Sequence, residues 1–222
     1  MKEHHRYAAK MHALYNGWSK EFRNPDLRLY FVQLAPWGNA LVPLMQEAQS
    51  KFAAEEKNAA IAVINDTGNL HDVHPNDKRT VAKRLAEHAL RRDYGYSWLK
   101  DDSPVYRSCR ADGARVVLSF DGAEEWYVYN AVDSMDNGFE LCGKDGKWRP
   151  AKIHNVKKTR RSGGSLRYEG ALEGRDVVIS ADGVDVPKAV RYLHASPWFG
   201  SLYNEMGLPL GAFQAELGGR GE

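Results

Sequence analysis

Cysteine is scarce: Cys109 and Cys142 are the two in a chain of 222 residues. They lack the paired spacing of a metal-binding knuckle, which excludes a cysteine-rich metal site and leaves either buried thiols or one disulfide. No apolar run approaches the roughly 18 residues needed to span a bilayer. The opening residues, Met1-Lys2-Glu3-His4-His5, lack the apolar stretch of an export signal. A dominant charge sign is missing as well. The formal net charge is +2 and the charged residues are spread along the chain, so no electrostatic footprint points to nucleic acid or to an anionic membrane. Finally, there is no G-x-S-x-G elbow and no Gly-Asp-Ser or Gly-Gln-Ser block, so no serine announces itself as a nucleophile.

What is present suffices for a buried core. Hydrophobic side chains make up 43% of the chain, and its length falls between one large domain and two small ones; two are expected. Tyr7, Met11, Leu14, Tyr15, Trp18 and Phe22 recur at three- and four-residue steps and predict a helix stopped by Asn24-Pro25-Asp26. Leu27 to Ala35 reads as a strand buried on both faces, Leu44 to Phe52 as a second helix, and Ala59 to Ile64 as another buried strand. The Gly/Asn/Asp-rich segment from Asn65 to Pro75 reads as a loop at a strand's carboxyl end. Pro75 opens a third helix ending near Arg92, with Val81, Leu85 and Ala89 as its apolar stripe. This alternation describes part of an α/β layer fold. Its strands are too few to close a sheet, so either the chain is a fragment or another segment completes the layer.

Beyond the boundary at Asp101-Asp102-Ser103-Pro104 the texture changes to short β segments: 115–120, 126–129, 138–142, 148–153, 177–180 and 189–194. Asp-Gly pairs at 112–113, 121–122, 145–146 and 182–183 mark turns that need positive φ. The pattern predicts an all-β module, a sandwich. Lys157 to Gly164 is a basic, glycine-containing hairpin tip, read as a solvated loop rather than an anion site.

The residues with most chemistry are Asp72-Val73-His74-Pro75. Side chains two apart in an extended loop project to one side, so the Asp72 carboxylate reaches one imidazole nitrogen of His74 and leaves the other free. A general base acting on a serine hydroxyl needs that arrangement. The same residues also suit an ordinary hydrogen-bonded turn, and His71, Asp72 and His74 suit a metal site without a fourth ligand. Ser19 lies on the first helix and Ser201 in an aromatic-rich β segment, while Cys109 has no helix N-terminus to activate it.

Several blocks carry a family resemblance. Tyr30-Phe31-Val32-Gln33-Leu34-Ala35-Pro36 and Asp72-Val73-His74-Pro75-Asn76-Asp77-Lys78, followed by Arg84-Leu85-Ala86 and Ala89-Leu90, resemble the sialate O-acetylesterase family of the SGNH-hydrolase superfamily. Phe139 to Gly146, Ala189 to Tyr192, Leu202 to Pro209 and Phe213 resemble the same family's closing β domain. The resemblance implies a partial SGNH-type three-layer α/β domain over 1–100 followed by a β-sandwich domain over 101–222. It implies a substrate that is acetylated sialic acid or another acetylated glycan, a serine nucleophile, a histidine base and no metal; no cofactor is expected and, from the charge pattern, no nucleic-acid or membrane partner. His74 falls on the family's catalytic base. The superfamily often places the acid three residues earlier, where this chain has His71, so that role passes to Asp72, with Asp66 as the fallback.

Two family blocks are absent, the Gly-Gln-Ser-Asn type with the nucleophile and the Gly-Glu-Ser-Asn type that helps form the oxyanion hole. In relatives both precede the helix with which this chain begins. Met1 is therefore expected to be an internal start of a longer, extracytoplasmic protein, and the chain alone is expected to have little or no esterase activity. Two rival expectations stand beside this one: a non-catalytic β-sandwich binding glycans through Trp126, Trp148 or Trp198, and an acetylxylan-type esterase.

Overall fold

The structure, a computed structural model, describes residues 3–68, 71–128, 137–158, 170–194 and 200–218. The chain divides into two compact units, Met1–Asp102 and Ser103–Glu222. The first contains α1 (Tyr7–Glu21), β1 (Leu29–Val32), α2 (Val42–Glu55), β2 (Ala59–Ala62) and α3 (Lys78–Arg92), preceded by one 3-10 turn (His4–Arg6). β1 and β2 pair in parallel, Leu29 opposite Ala59 through Val32 opposite Ala62. Among the described residues this sheet has no third strand. Among the described residues, no helix is long and apolar enough to cross a membrane.

Tyr15, Phe52 and Ala59 form a small core with Met11, Leu27, Leu29 and Phe31 packed against it. The Tyr15 hydroxyl donates to the Leu27 carbonyl at 3.1 Å and accepts from the Asn58 amide at 2.9 Å, which ties α1 to the starts of both strands. Only part of the expected α1 stripe is buried this way. Leu14, Trp18 and Phe22, at four-residue steps, remain 41%, 43% and 65% exposed. β1 is half-buried throughout rather than covered on both faces. Its ladder stops at Val32 because the backbone of Leu34 pairs with side chains instead of a strand: its N–H donates to Gln49 and its carbonyl accepts from Gln46, both at 2.8 Å.

α3 starts at Lys78 rather than at Pro75. Asp77 caps it, accepting from the Thr80 N–H at 3.0 Å and the Thr80 hydroxyl at 2.6 Å. The buried residues of α3 are Arg84 and His88, not the apolar stripe read from the sequence. His88 stacks on Tyr30 with ring centroids 6.0 Å apart, and its Nδ1 lies 2.9 Å from Asp101 Oδ2. Arg91 and Arg92 pair with the same carboxylate, both at 2.9 Å, so three cationic or imidazole groups fix the end of the unit onto the helix.

Burial raises the Asp101 pKa, but the hydrogen bonds from His88 and Arg92 and their charges outweigh it, and the carboxyl sits below its ordinary 3.8. A depressed carboxylate stabilises the fold above the unfolded pKa and loses that stabilisation as pH falls through the folded value. Asp101→Asn is therefore expected to flatten the acid limb. Urea midpoints measured from pH 7 to pH 3 should fall less steeply in the variant than in wild type, and parallel curves would rule this linkage out.

The second unit is built from β3 (Val105–Asp112), β4 (Arg115–Asp121), β5 (Trp126–Val128), β6 (Phe139–Cys142), β7 (Trp148–Pro150), β8 (Lys152–Ile153), β9 (Val156–Lys158), β10 (Gly170–Leu172), β11 (Val177–Ser180), β12 (Ala189–Tyr192), β13 (Leu202–Asn204) and β14 (Phe213–Glu216). Where the sequence predicts a sandwich, the hydrogen bonds define three four-stranded antiparallel sheets, ordered β13-β5-β10-β9, β3-β4-β11-β8 and β14-β12-β6-β7. All three sheets send side chains into one core, including Leu118, Trp126, Leu141, Ile179, Tyr192 and Leu202. Asp112 pairs with Arg115 across the β3–β4 turn, and Gly113 there has φ +60°, the conformation the Asp-Gly signal requires. The predicted 148–153 strand is two strands in different sheets, because Ala151 turns inward and is fully buried between them. Tyr129 and the hairpin tip beyond Lys158 lie outside the described residues.

Candidate active site

The loops that follow β1 and β2 leave the same, carboxyl end of the parallel pair, where open α/β sheets place their ligands. They pack tightly against each other: a Cβ on Gly68 would fall 2.6 Å from Pro36, so glycine is required for that approach. Asp66 and Arg84 anchor the second loop. Arg84 donates to both Asp66 oxygens at 2.7 Å each and to the Val63 carbonyl at 2.7 Å, with its side chain 7% exposed. Both oxygens of Asp66, the fallback acid, are thus occupied by a guanidinium.

Further along the loop, Asp72 Oδ1 accepts the His74 backbone N–H at 2.8 Å and lies 3.0 Å from His74 Nδ1. The backbone contact makes a local Asx turn, and the same turn sets the ring. With the proton on Nδ1, the carboxylate holds it there, and Nε2 carries the lone pair. The ring is 81% exposed. The hydrogen bond from the His74 N–H, more than that from the ring, holds the Asp72 carboxyl below its ordinary range. Asp72 thus stays an anion that orients an exposed imidazole, the pairing a general base uses.

The described residues bring no serine hydroxyl to this ring. Ser19 donates to the Asn24 carbonyl and Ser201 to the Asn137 carbonyl. One serine does meet an imidazole in the second unit, Ser180 Oγ at the end of β11, 2.7 Å from Nε2 of His154 in the bend after β8. That pair has no carboxylate on the other ring nitrogen; burial, with Arg115 and Lys152 nearby, lowers the His154 pKa. It reads as a hydrogen bond tying the β8–β9 bend to β11. Both cysteines are free thiols, which removes the disulfide option. Among the described residues, His71, Asp72 and His74 are not gathered as a ligand set. His88, Asp101 and Asp102 are, within 4.8 Å, but Arg91 and Arg92 already neutralise the carboxylates there.

Sequence reasoning missed a buried amide at the end of β1. Gln33 is 2% exposed, and neither its side-chain nitrogen nor its oxygen has a hydrogen-bond partner; the Trp37 indole N–H, four residues on, is in the same state. An unsatisfied buried amide costs about 1–3 kcal/mol and is retained chiefly where function uses it. Gln33→Leu is accordingly expected to raise stability by about 1–3 kcal/mol in urea unfolding. A loss of stability would mean the amide is engaged in holding the fold.

The tryptophans expected to bind glycan are placed differently. Trp126 is fully buried and donates to the Arg175 carbonyl at 2.8 Å. Trp148 lies under the Arg191 guanidinium, 4.3 Å from its ring centre, and Trp198 lies outside the described residues.

The fold and loop together define a mixed helix–sheet protein with an Asp–His pair on the loop after a parallel strand in the first unit and several antiparallel sheets in the second. Among solved structures the chain is similar to a carbohydrate acetylesterase from Xanthomonas citri, with 29% identity and a TM-score of 0.75. The match covers 95% of this chain and 46% of that one, so the chain spans about half the length of the enzyme it matches. No protein-family model matches the chain, and no curated protein does.

Proposed function

We propose that this chain is the histidine-bearing part of a carbohydrate acetylesterase that works through a Ser-His-Asp mechanism. The observation that carries the reading is an exposed imidazole oriented by Asp72, in a chain 29% identical over 95% of its length to a carbohydrate acetylesterase. In the reaction a serine attacks the acetyl carbonyl while His74 Nε2 takes its proton. The tetrahedral adduct collapses to an acetyl-enzyme as His74 protonates the departing sugar hydroxyl. Water, activated by His74, then releases acetate. Asp72 keeps the Nδ1 proton in place and stabilises the imidazolium formed in each half. Asp66, held by Arg84 on both oxygens, keeps a structural role. The substrate is an O-acetylated sugar, and the resemblance of the blocks around Tyr30–Pro36 and Asp72–Lys78 favours sialic acid or a related sugar.

The attacking serine is supplied by polypeptide outside these 222 residues. Two features support this: the β1–β2 sheet has no third strand among the described residues, and α1 exposes Leu14, Trp18 and Phe22 along one line. A layered α/β fold covers such edges and faces. The test is p-nitrophenyl acetate hydrolysis by the chain and by a longer polypeptide that joins it to a serine-bearing segment. The chain alone should match its His74→Ala variant, and the longer form should turn over. Turnover by the chain well above its His74→Ala variant would overturn the supply of serine from outside.

A further inference from the structure

The loop that follows α3 carries an unusual display. Tyr94, Tyr96 and Trp98 are 72%, 44% and 72% exposed, three aromatic rings within five residues. Exposed aromatics at such density mark an interaction surface more often than idle loop. The loop is also held rigidly. The Tyr96 N–H donates to the Leu90 carbonyl at 3.1 Å, the Leu99 N–H to the Tyr96 carbonyl at 3.0 Å, and Arg91 to the Ser97 carbonyl at 2.8 Å and to the Leu99 carbonyl. Leu99 is buried beneath as the anchor, and Gly95 at φ +76° makes the bend. Tyr96 and Trp98 sit edge to face, ring centroids 6.1 Å apart. The loop backbone is therefore tied down before any ligand arrives, which removes part of the entropic penalty of binding.

We propose that Tyr94, Tyr96 and Trp98 form a platform for a neutral polysaccharide, separate from the Asp72–His74 pair. Sugar rings have an apolar C–H face and a hydroxyl rim, and amphipathic aromatics with polar edges match both. The composition of the loop favours sugar over a protein partner. Its one aliphatic residue, Leu99, is buried, and the exposed residues between the rings are Gly95 and Ser97. Flanking charges are engaged internally: Arg91 with Asp101, and Asp93 with Arg28 and Tyr30. Nothing there singles out an acidic sugar. α3 spans 15 residues, about 22 Å of helix, so the platform stands at the far end of that helix from the His74 loop.

The test is affinity electrophoresis of the 222-residue chain in gels containing soluble xylan, glucomannan or mixed-linkage glucan, with intrinsic fluorescence titration as a second readout. At least one polysaccharide is expected to retard the wild type. Trp98→Ala and Tyr94→Ala are each expected to weaken binding about tenfold or more, as loss of an anchoring aromatic does. His74→Ala should leave binding unchanged, and melting of both aromatic variants should match wild type because the rings are exposed. Failure to bind any of the three glycans overturns the proposal, as does binding that survives Trp98→Ala. A dimer in light scattering that dissociates on Trp98→Ala would also overturn it, by assigning the patch to self-association. No readout here depends on ester hydrolysis, so the platform and the esterase reading fail separately.

Discussion

Arg84→Met is expected to destabilise the N-terminal unit by about 3–5 kcal/mol, the usual result of removing one partner from a buried ion pair. Arg84 and Asp66 are 7% and 11% exposed, so water cannot replace the lost guanidinium. The variant leaves a buried carboxylate without a counter-charge and the Val63 carbonyl without its donor. Methionine fills most of the space, so packing contributes little to the loss. The double variant Arg84→Met with Asp66→Leu should recover most of the stability, because a matched apolar pair is often as stable as a buried ion pair. Urea unfolding of the single and double variants measures both. Equal loss in the double and single variants would show that Arg84 works through packing alone. The effect extends to the site, because the loop bearing Asp72 and His74 leaves β2 through residues 63 to 66.

The Arg84–Asp66 pair also shows where reading the sequence stops. Val81, Leu85 and Ala89 form a clean helical stripe, yet α3 buries Arg84 and His88. Apolar periodicity assumes that buried means hydrophobic, and it fails where a loop carboxylate supplies the partner. Asp66 and Asp101 are such carboxylates, and neither has a sequence spacing from its partner that any motif records. Local rules succeeded where the physics is local. The Asn24-Pro25 stop of α1, the Gly113 turn and the Asp72–His74 contact all depend on residues within a few positions of each other. In the second unit, β9, β10 and β13 have three residues each, too short to establish a two-residue period, so the division into three sheets was illegible. Trp126 looked like a candidate sugar platform because composition cannot tell an exposed ring from a core one. Tyr94, Tyr96 and Trp98 are exposed in the other unit, on the loop after α3, where no motif marks them.

The largest effect on function is expected at His74. In a polypeptide that joins these residues to the serine-bearing segment, His74→Ala should lower kcat for p-nitrophenyl acetate by about 10⁴–10⁶-fold, the range for losing the base of a serine hydrolase. Asp72→Asn should lower it less, by about 10²–10⁴-fold, since the acid orients the base without exchanging the proton itself. Two properties of the site shape these numbers. Asp72 is 52% exposed, so water screens its charge and its contribution falls toward the low end. Its hydrogen bond to the His74 N–H, however, fixes the loop as well as the ring, and asparagine retains that bond through its side-chain oxygen. The same oxygen also faces Nδ1, so the amide isolates the effect of the charge from that of the turn and the tautomer. If Asp72→Asn has full activity while Asp72→Ala does not, the residue serves the turn alone, and the acid must come from elsewhere. If His74→Ala retains activity in the longer polypeptide, the imidazole is not the base, whatever its geometry. The serine must also approach. An active centre needs its hydroxyl about 2.6–3.2 Å from Nε2, and an 81% exposed ring leaves that direction open to it.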